Sequence, residues 1–274
     1  MAGDIDREGV EKAYGRWAPI YDLVFGKVFD QGRQSTIAEA DRIGGRVLDV
    51  GVGTGLSLSE YARTTKLCGV DISEPMLRRA LKRVRALGLS NVETLAVMDA
   101  KNLAFPDSFF DAVVAQYVIT AVPDPEATLD DFVRVLKPGG RLGLNVQDPS
   151  RPHQSRVLLS QAIAEAGLGD RRQDSNPVLG STDEELSALF AANGFTDYRS
   201  ELRALVDIHD NADSLLRWSE ASAFGNFLEA FSPAERSLVR QAFARLVEDK
   251  RTPEGLSLER YLRFAFVRKA PTAN

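Results

Sequence analysis

Residues 47–56 read VLDVGVGTGL: a four-residue run suited to a strand, three glycines within five positions, then the start of a helix. A strand that turns through glycines into a helix lets a ligand approach the backbone, and the first N–H groups of the helix face it. The alternation continues downstream, with strand-like runs predicted at 67–70 (LCGV), 92–97 (VETLAV), 111–118 (DAVVAQYV) and 141–147 (RLGLNVQ). Helical patterns separate them. The clearest is 74–87, where Ser73 can cap, Pro75 sits in the first turn, Leu77, Ala80, Leu81 and Val84 share a face, and Gly88 stops the helix. A second opens at Asp124-Pro125, carries Leu129, Phe132, Val133 and Leu136, and stops at Pro138-Gly139-Gly140. Strands alternating with helices predict an α/β chain with a parallel sheet covered on both faces.

After residue 150 the pattern loosens. Loop-like stretches at 148–155 and 169–180 flank a short helical stretch at 156–166. Ser181-Thr182-Asp183-Glu184 opens a helix in the manner of a capping box, and Asn193-Gly194 closes it. Two further strands are expected at about 195–206 and 259–269, with helices around 212–229 and 233–249 between them. The net charge of −5 weighs against a nucleic-acid partner, because a phosphate-binding surface shows as a basic excess. A single cysteine, Cys68, excludes an internal disulfide framework and suits a reducing compartment. With no apolar stretch long enough to span a bilayer and no signal-peptide pattern in MAGDIDREGV, the expected location is cytoplasmic.

Two ligand classes compete for the glycine bend. The dinucleotide fingerprint G-x-G-x-x-G would need a third glycine at position 56, which is Leu56; the chain has Gly51, Gly53 and Gly55 instead. Asp71, twenty residues after Gly51 at the end of the next strand, can accept from both ribose hydroxyls of an adenosine, with or without a nicotinamide attached. Asp99 is placed to accept from the exocyclic amino group of adenine, with Met98, Ala100 and Ile72 as apolar walls for the ring.

VLDVGVGTG, GVDIS, VMDAKNLAFPDSFFDAVVAQYV and LKPGGRL, in that order and spacing, resemble the class I S-adenosylmethionine-dependent methyltransferases. The resemblance implies a Rossmann-like seven-stranded sheet whose last strand is antiparallel, with S-adenosyl-L-methionine as cofactor and S-adenosyl-L-homocysteine as product. It implies that Gly51, Gly53 and Gly55, with Asp49, surround the methionine part, that Asp71 holds the ribose, and that Asp99 holds the adenine. Gln116 and Tyr117 would lie beside the methionine tail, and Met76 is counted with these contacts. YGRWAPIYDLVFGKVFDQGR and the motifs that follow further resemble bacterial phosphatidylethanolamine N-methyltransferases and, more loosely, ubiquinone and menaquinone C-methyltransferases.

The expected organisation is a single methyltransferase domain, 1–274. It comprises an N-terminal helical lid (1–40), a cofactor-binding core (41–150), an acceptor-side loop region (151–180) and a helical insertion (207–258) between the last two strands. Tyr14 and Tyr21, on the aromatic face of the lid with Trp17, suit contact with a cationic sulfonium, and closing the lid would exclude water. The loop NVQDPSRPHQ and the insertion depart from the phospholipid enzymes.

The expected reaction is metal-independent, in-line transfer of a methyl group to a small organic acceptor. The alternatives are transfer to phosphatidylethanolamine and a non-catalytic S-adenosylmethionine-binding protein. Neither membrane association nor an oligomeric state is signalled. His153 is the candidate base, while His209 sits where the insertion begins, and the two show no metal-ligand spacing. Gln147 and Asp148 could orient an acceptor; Trp218, Phe224, Phe227 and Phe231 fit the insertion's own core.

Overall fold

A computed structural model describes residues 30–148, 150–169, 182–222, 228 and 231–271. Tyr14, Trp17, Tyr21, the stretch 170–180, Phe224 and Phe227 lie outside these residues. In chain order the elements are α1 (Asp30–Ile43), β1 (Arg46–Val50), β2 (Lys66–Asp71), α2 (Glu74–Leu87), β3 (Val92–Val97), β4 (Phe110–Gln116), α3 (Pro125–Val135) and β5 (Leu136–Gln147). Then follow α4 (Gln154–Glu165), α5 (Asp183–Ala192), β6 (Phe195–His209), α6 (Ala212–Ser222), α7 (Pro233–Val247), β7 (Arg251–Thr252) and β8 (Gly255–Lys269).

The strand order is β3-β2-β1-β4-β5-β8-β6, parallel from β3 to β5, with β8 antiparallel to both neighbours. This is the expected sheet, with the two-residue β7 added as the second arm of a tight hairpin on β8. Since β1 to β5 are parallel, Val50, Asp71, Val97, Gln116 and Gln147 all finish at one end of the sheet, where ligands of open α/β sheets bind.

One face carries Leu48, Val50, Val113, Ala115, Leu142 and Leu144 against Leu129, Phe132 and Val135 of α3 and Leu186 and Phe190 of α5. The other packs Val47, Leu67, Ala112 and Val114 against Ile37 and Ala40 of α1 and Leu77 and Ala80 of α2. Strand register places Asp49, Asp71, Gln116 and Asn145 on this second face, together with Asp207 and Arg260 further along.

Two boundaries differ from expectation for physical reasons. The helix opening at Asp124-Pro125 was expected to carry Leu136 and stop at Pro138-Gly139-Gly140, yet α3 ends at Val135 and β5 starts at Leu136, which already pairs with Phe110. Gly139 at φ +76° takes up a register shift before regular pairing resumes at Arg141. The last two long strands also outrun their expected ends, so the β6–β8 pair continues through His209↔Leu256, past the end of β5 at Gln147↔Leu262. That overhang presents Leu256 and Leu258 to a separate core built from α4 (Leu159, Ala162, Ile163), α6 (Leu215, Leu216, Trp218) and α7 (Val239, Phe243, Val247). Thus α4, from the expected acceptor-side region, packs with α6 and α7 of the insertion as one helical cap. Val239, Phe243 and Val247 are wholly buried there, and each such side chain contributes roughly 1.5–3 kcal/mol. Trp218 and Phe231 belong to this core, as expected.

Candidate active site

The chain leaves β1 with the N–H groups of Gly51 and Val52 both donating to the carbonyl of Val70, at 2.8 and 3.0 Å, which ties the bend to β2. Gly51, Gly53 and Gly55 have φ of +70°, +56° and +76°, where a side chain is strained. Their surroundings differ. A Cβ on Gly51 would lie 2.5 Å from Val118, and one on Gly55 would meet Leu58 at 2.9 Å and Ala80 at 3.0 Å. These two are explained by packing. At Gly53 the nearest atom among the described residues would be the Gly51 carbonyl oxygen at 3.9 Å, which leaves room there for a ligand.

Asp71, at the end of β2, is fixed by backbone. Its Oδ2 accepts from the Gly53 N–H and its Oδ1 from the Ser73 N–H, both at 2.8 Å. Each oxygen keeps a further lone pair, so the carboxylate can serve two neighbouring hydroxyls. Burial pushes the Asp71 carboxyl up to about 6, against the two backbone bonds that favour its charged form. Ser73 stands at the N-cap of α2, but its hydroxyl makes no capping bond and is buried without a partner. The expected serine cap is therefore absent, and what Ser73 contributes is its N–H, held by Asp71.

Asp49 lies beneath the bend at 2% exposure, its Oδ2 accepting from Ser57 at 2.7 Å and Tyr61 at 3.2 Å. Burial raises its carboxyl to about 6, with these two hydrogen bonds and the nearby Arg33 pulling the other way. Met98, Asp99 and Ala100 follow β3 at the same end, the Met98 N–H donating to the Asp71 carbonyl at 3.1 Å. Asp99 pairs with Asn102 in a short bridge and, like Ile72, Met98 and Ala100, is half-buried. Met76, expected among the contacts, lies in the first turn of α2 and is buried at 1% exposure.

Gln116 ends β4 with its Oε1 buried and unpartnered, an acceptor suited to a donor from a ligand. Tyr117 follows at φ +59°, a left-handed conformation that costs a bulky L-residue about 1–2 kcal/mol. Its N–H is clamped by the Asn145 side chain at 3.0 Å and the Asn145 carbonyl at 3.3 Å. Its ring packs with Leu205, Leu262 and Phe264, and its hydroxyl accepts from Arg260 at 2.7 Å.

The expected base has both ring nitrogens engaged. His153 is 2% exposed and caps α4, its Nδ1 accepting from the Ser155 N–H at 3.0 Å. Nδ1 must therefore be unprotonated, and the proton sits on Nε2, which donates to Asp207 at 3.2 Å. Burial holds the imidazole below its ordinary value, so it is neutral with its basic nitrogen already used. His209, beside Trp218, is also buried neutral, pushed down to about 4. Gln147 and Asp148 are likewise engaged: Gln147 donates to the Tyr261 carbonyl, and Asp148 accepts from Ser150 and Arg263. No cluster of histidine, cysteine or acidic side chains able to hold a metal occurs among the described residues.

Sequence reasoning missed Asp207 and Arg260, whose side chains are each 1% exposed and pair at 2.8 Å. A signal was present. Leu256, Leu258, Arg260, Leu262 and Phe264 alternate in phase, as do Leu205, Asp207 and His209, so both charges fall on the inward set.

The family described as Methyltransferase domain matches residues 48–144. The chain is 45% identical over 138 residues to a phosphatidylethanolamine N-methyltransferase of Cereibacter sphaeroides, covering 50% of this chain and 68% of that protein. It is 30% identical over 258 residues to a nocamycin O-methyltransferase of Saccharothrix syringae, covering 86% and 89%. Its fold resembles that of a Haemonchus contortus phosphoethanolamine N-methyltransferase solved with phosphomonomethylethanolamine and S-adenosylhomocysteine. That likeness has a TM-score of 0.56 at 23% identity and covers 93% of this chain and 57% of that one.

Proposed function

The chain belongs to the S-adenosylmethionine-dependent methyltransferases, and we propose that it methylates a small organic acceptor held between the strand ends and the helical cap. S-adenosylmethionine supplies a methyl carbon on a positively charged sulfur, already activated for displacement. The protein's part is then to bind, align and keep water out. In this reading Asp71 accepts from the two ribose hydroxyls while Gly53 and Ser73 hold it still. Asp99 accepts from the adenine amino group, with Ile72, Met98 and Ala100 along the ring. The room at Gly53 admits the amino-acid part, whose ammonium finds Gln116 Oε1 and the Asp49 carboxylate. The observation that carries the reading is the Asp71 carboxylate, pinned by two backbone N–H groups beside the glycine that has room for a ligand.

Support for a small acceptor comes from the extent of the likenesses. Similarity to the phospholipid enzyme spans half of this chain, whereas similarity to the O-methyltransferase of Saccharothrix syringae spans 86%. No helix among the described residues is long and apolar enough to cross a membrane. Cytoplasmic residence belongs to the proposal, motivated by the single, buried cysteine.

A labelled-methyl assay across amines, phenols, quinols and phosphatidylethanolamine vesicles tests this. Label is expected in a soluble acceptor. Label entering the lipid would favour the phospholipid reading, and none anywhere, with the cofactor bound, would favour a non-catalytic binder.

The carboxyls at about 6 set a pH dependence. Burial raises both folded values, so each acid is charged above about pH 6 and takes up a proton below it. Ribose hydroxyls and an ammonium bind the charged form, so cofactor affinity is expected to be full at pH 7–8 and to fall as pH drops through 6. The unliganded fold responds in the opposite sense to these two groups, because acids raised by folding oppose it most when ionised. Calorimetry with S-adenosylhomocysteine from pH 8 to 5 measures the effect, and a flat profile would remove both carboxylates from the binding role.

A further inference from the structure

A hydrogen-bonded path leaves the cofactor end of the sheet and enters the helical cap. The Arg260 Nη1 donates to the Tyr117 hydroxyl at 2.7 Å, and its Nε donates to Asp207 Oδ1 at 3.0 Å. Asp207 accepts from His153, His153 accepts from Ser155 of α4, and Ser155 is 2.9 Å from the Ser219 hydroxyl of α6. We propose that Arg260 is a positioning residue for the methyl-transfer centre, acting through Tyr117. The inference rests on the cofactor reading of the strand ends.

Three observations carry it. Tyr117 borders the bend: its neighbour Val118 fills the space over Gly51, and the charge of Arg33 acts on both Asp49 and Tyr117. The tyrosine is held against its backbone preference, at φ +59° with its N–H clamped by Asn145, so the direction of its ring is imposed. Finally, packing alone does not call for arginine at 260, where the inward row is otherwise Leu256, Leu258, Leu262 and Phe264. Its charge is cancelled by Asp207, and at 1% exposure it is closed to an anion from solvent. What the guanidinium supplies is direction. Burial keeps Tyr117 a neutral phenol, and its hydroxyl hydrogen has to point away from the guanidinium that donates to its oxygen. A misplacement of about 1 Å at such a centre costs about a hundred-fold in rate, which is why a residue behind the contact layer matters.

The test uses the full chain labelled at the ζ-carbon of its six tyrosines, with Tyr117→Phe assigning the Tyr117 signal. Saturating S-adenosylhomocysteine is expected to move that signal in the wild type and to leave those of Tyr198 and Tyr261. In Arg260→Gln the ligand still binds by calorimetry but most of the shift is lost, and Arg260→Lys recovers part of it. His153→Asn lowers the melting temperature and keeps the shift, as a purely structural link would. If Arg260→Gln does not fold, Arg260→Met combined with Asp207→Leu removes both charges together and gives the same reading. A Tyr117 signal unmoved by bound ligand, or an undiminished shift without Arg260, overturns the proposal. Wild-type protein that binds no S-adenosylhomocysteine would instead refute the cofactor reading itself.

Discussion

Asp207→Ala is expected to destabilise the fold by about 3–5 kcal/mol, the scale for removing one partner of a buried ion pair. Asp207 and Arg260 are each 1% exposed, so truncating the acid leaves a guanidinium out of water with its counter-charge gone. The same change strips the acceptor from His153 Nε2–H, which fixes the tautomer that caps α4. At roughly 2–4 °C per kcal/mol for a chain of this size, the melting temperature falls by roughly 6–20 °C. Replacing both members with apolar residues, Asp207→Leu with Arg260→Met, is expected to recover most of that loss, because no lone charge remains. The contrast separates a cost of unpairing from a cost of lost volume. Scanning calorimetry reads it, and a single mutant as stable as the wild type would mean that water reaches the pair.

The second large effect is on binding. Asp71→Ala is expected to weaken S-adenosylhomocysteine by about 1–3 kcal/mol, or roughly 5- to 150-fold, the scale for hydrogen bonds to a charged group. Two losses combine. The ribose hydroxyls lose their acceptor, and the N–H groups of Gly53 and Ser73 lose the carboxylate that holds the bend to the start of α2. Asp71→Asn is the finer probe. It keeps the shape but offers one acceptor oxygen, so it can hold one of those N–H groups and is expected to fall between wild type and alanine. Unchanged affinity in the alanine variant would take Asp71 out of the site.

How far the sequence discloses this site depends on whether the signal is local. VLDVGVGTGL, the acid ending the second strand and the MDA stretch after the third are each short segments whose residue types dictate a turn, a carboxylate and an apolar wall. Parallel strands then gather them at one end of the sheet. Helix limits at Pro75 and Gly88 were legible for the same reason, since proline fixes φ and glycine tolerates the left-handed Gly88, at φ +57°.

What escaped is non-local. His153 reads as a loop histidine until α4, β6 and β8 are brought together around it, because its partner Asp207 is 54 residues away. Arg260 lies 143 residues from Tyr117, and no spacing rule joins them. The alternation of β8 did carry a clue, an arginine in phase with inward leucines, but only pairing with β6 shows what neutralises it. Met76 is a different case: its helix was placed correctly, while the burial of its side chain to 1% exposure follows from packing that helical spacing does not show.

In the proposed cofactor site everything depends on Asp71 as the ribose acceptor at the end of β2. A crystal structure of the full chain with S-adenosylhomocysteine measures this directly. The expected result is both ribose hydroxyls within about 3.2 Å of the Asp71 carboxylate, with the Gly53 and Ser73 N–H bonds retained. A nucleoside bound elsewhere, or an Asp71 carboxylate turned away from the sugar, would contradict it.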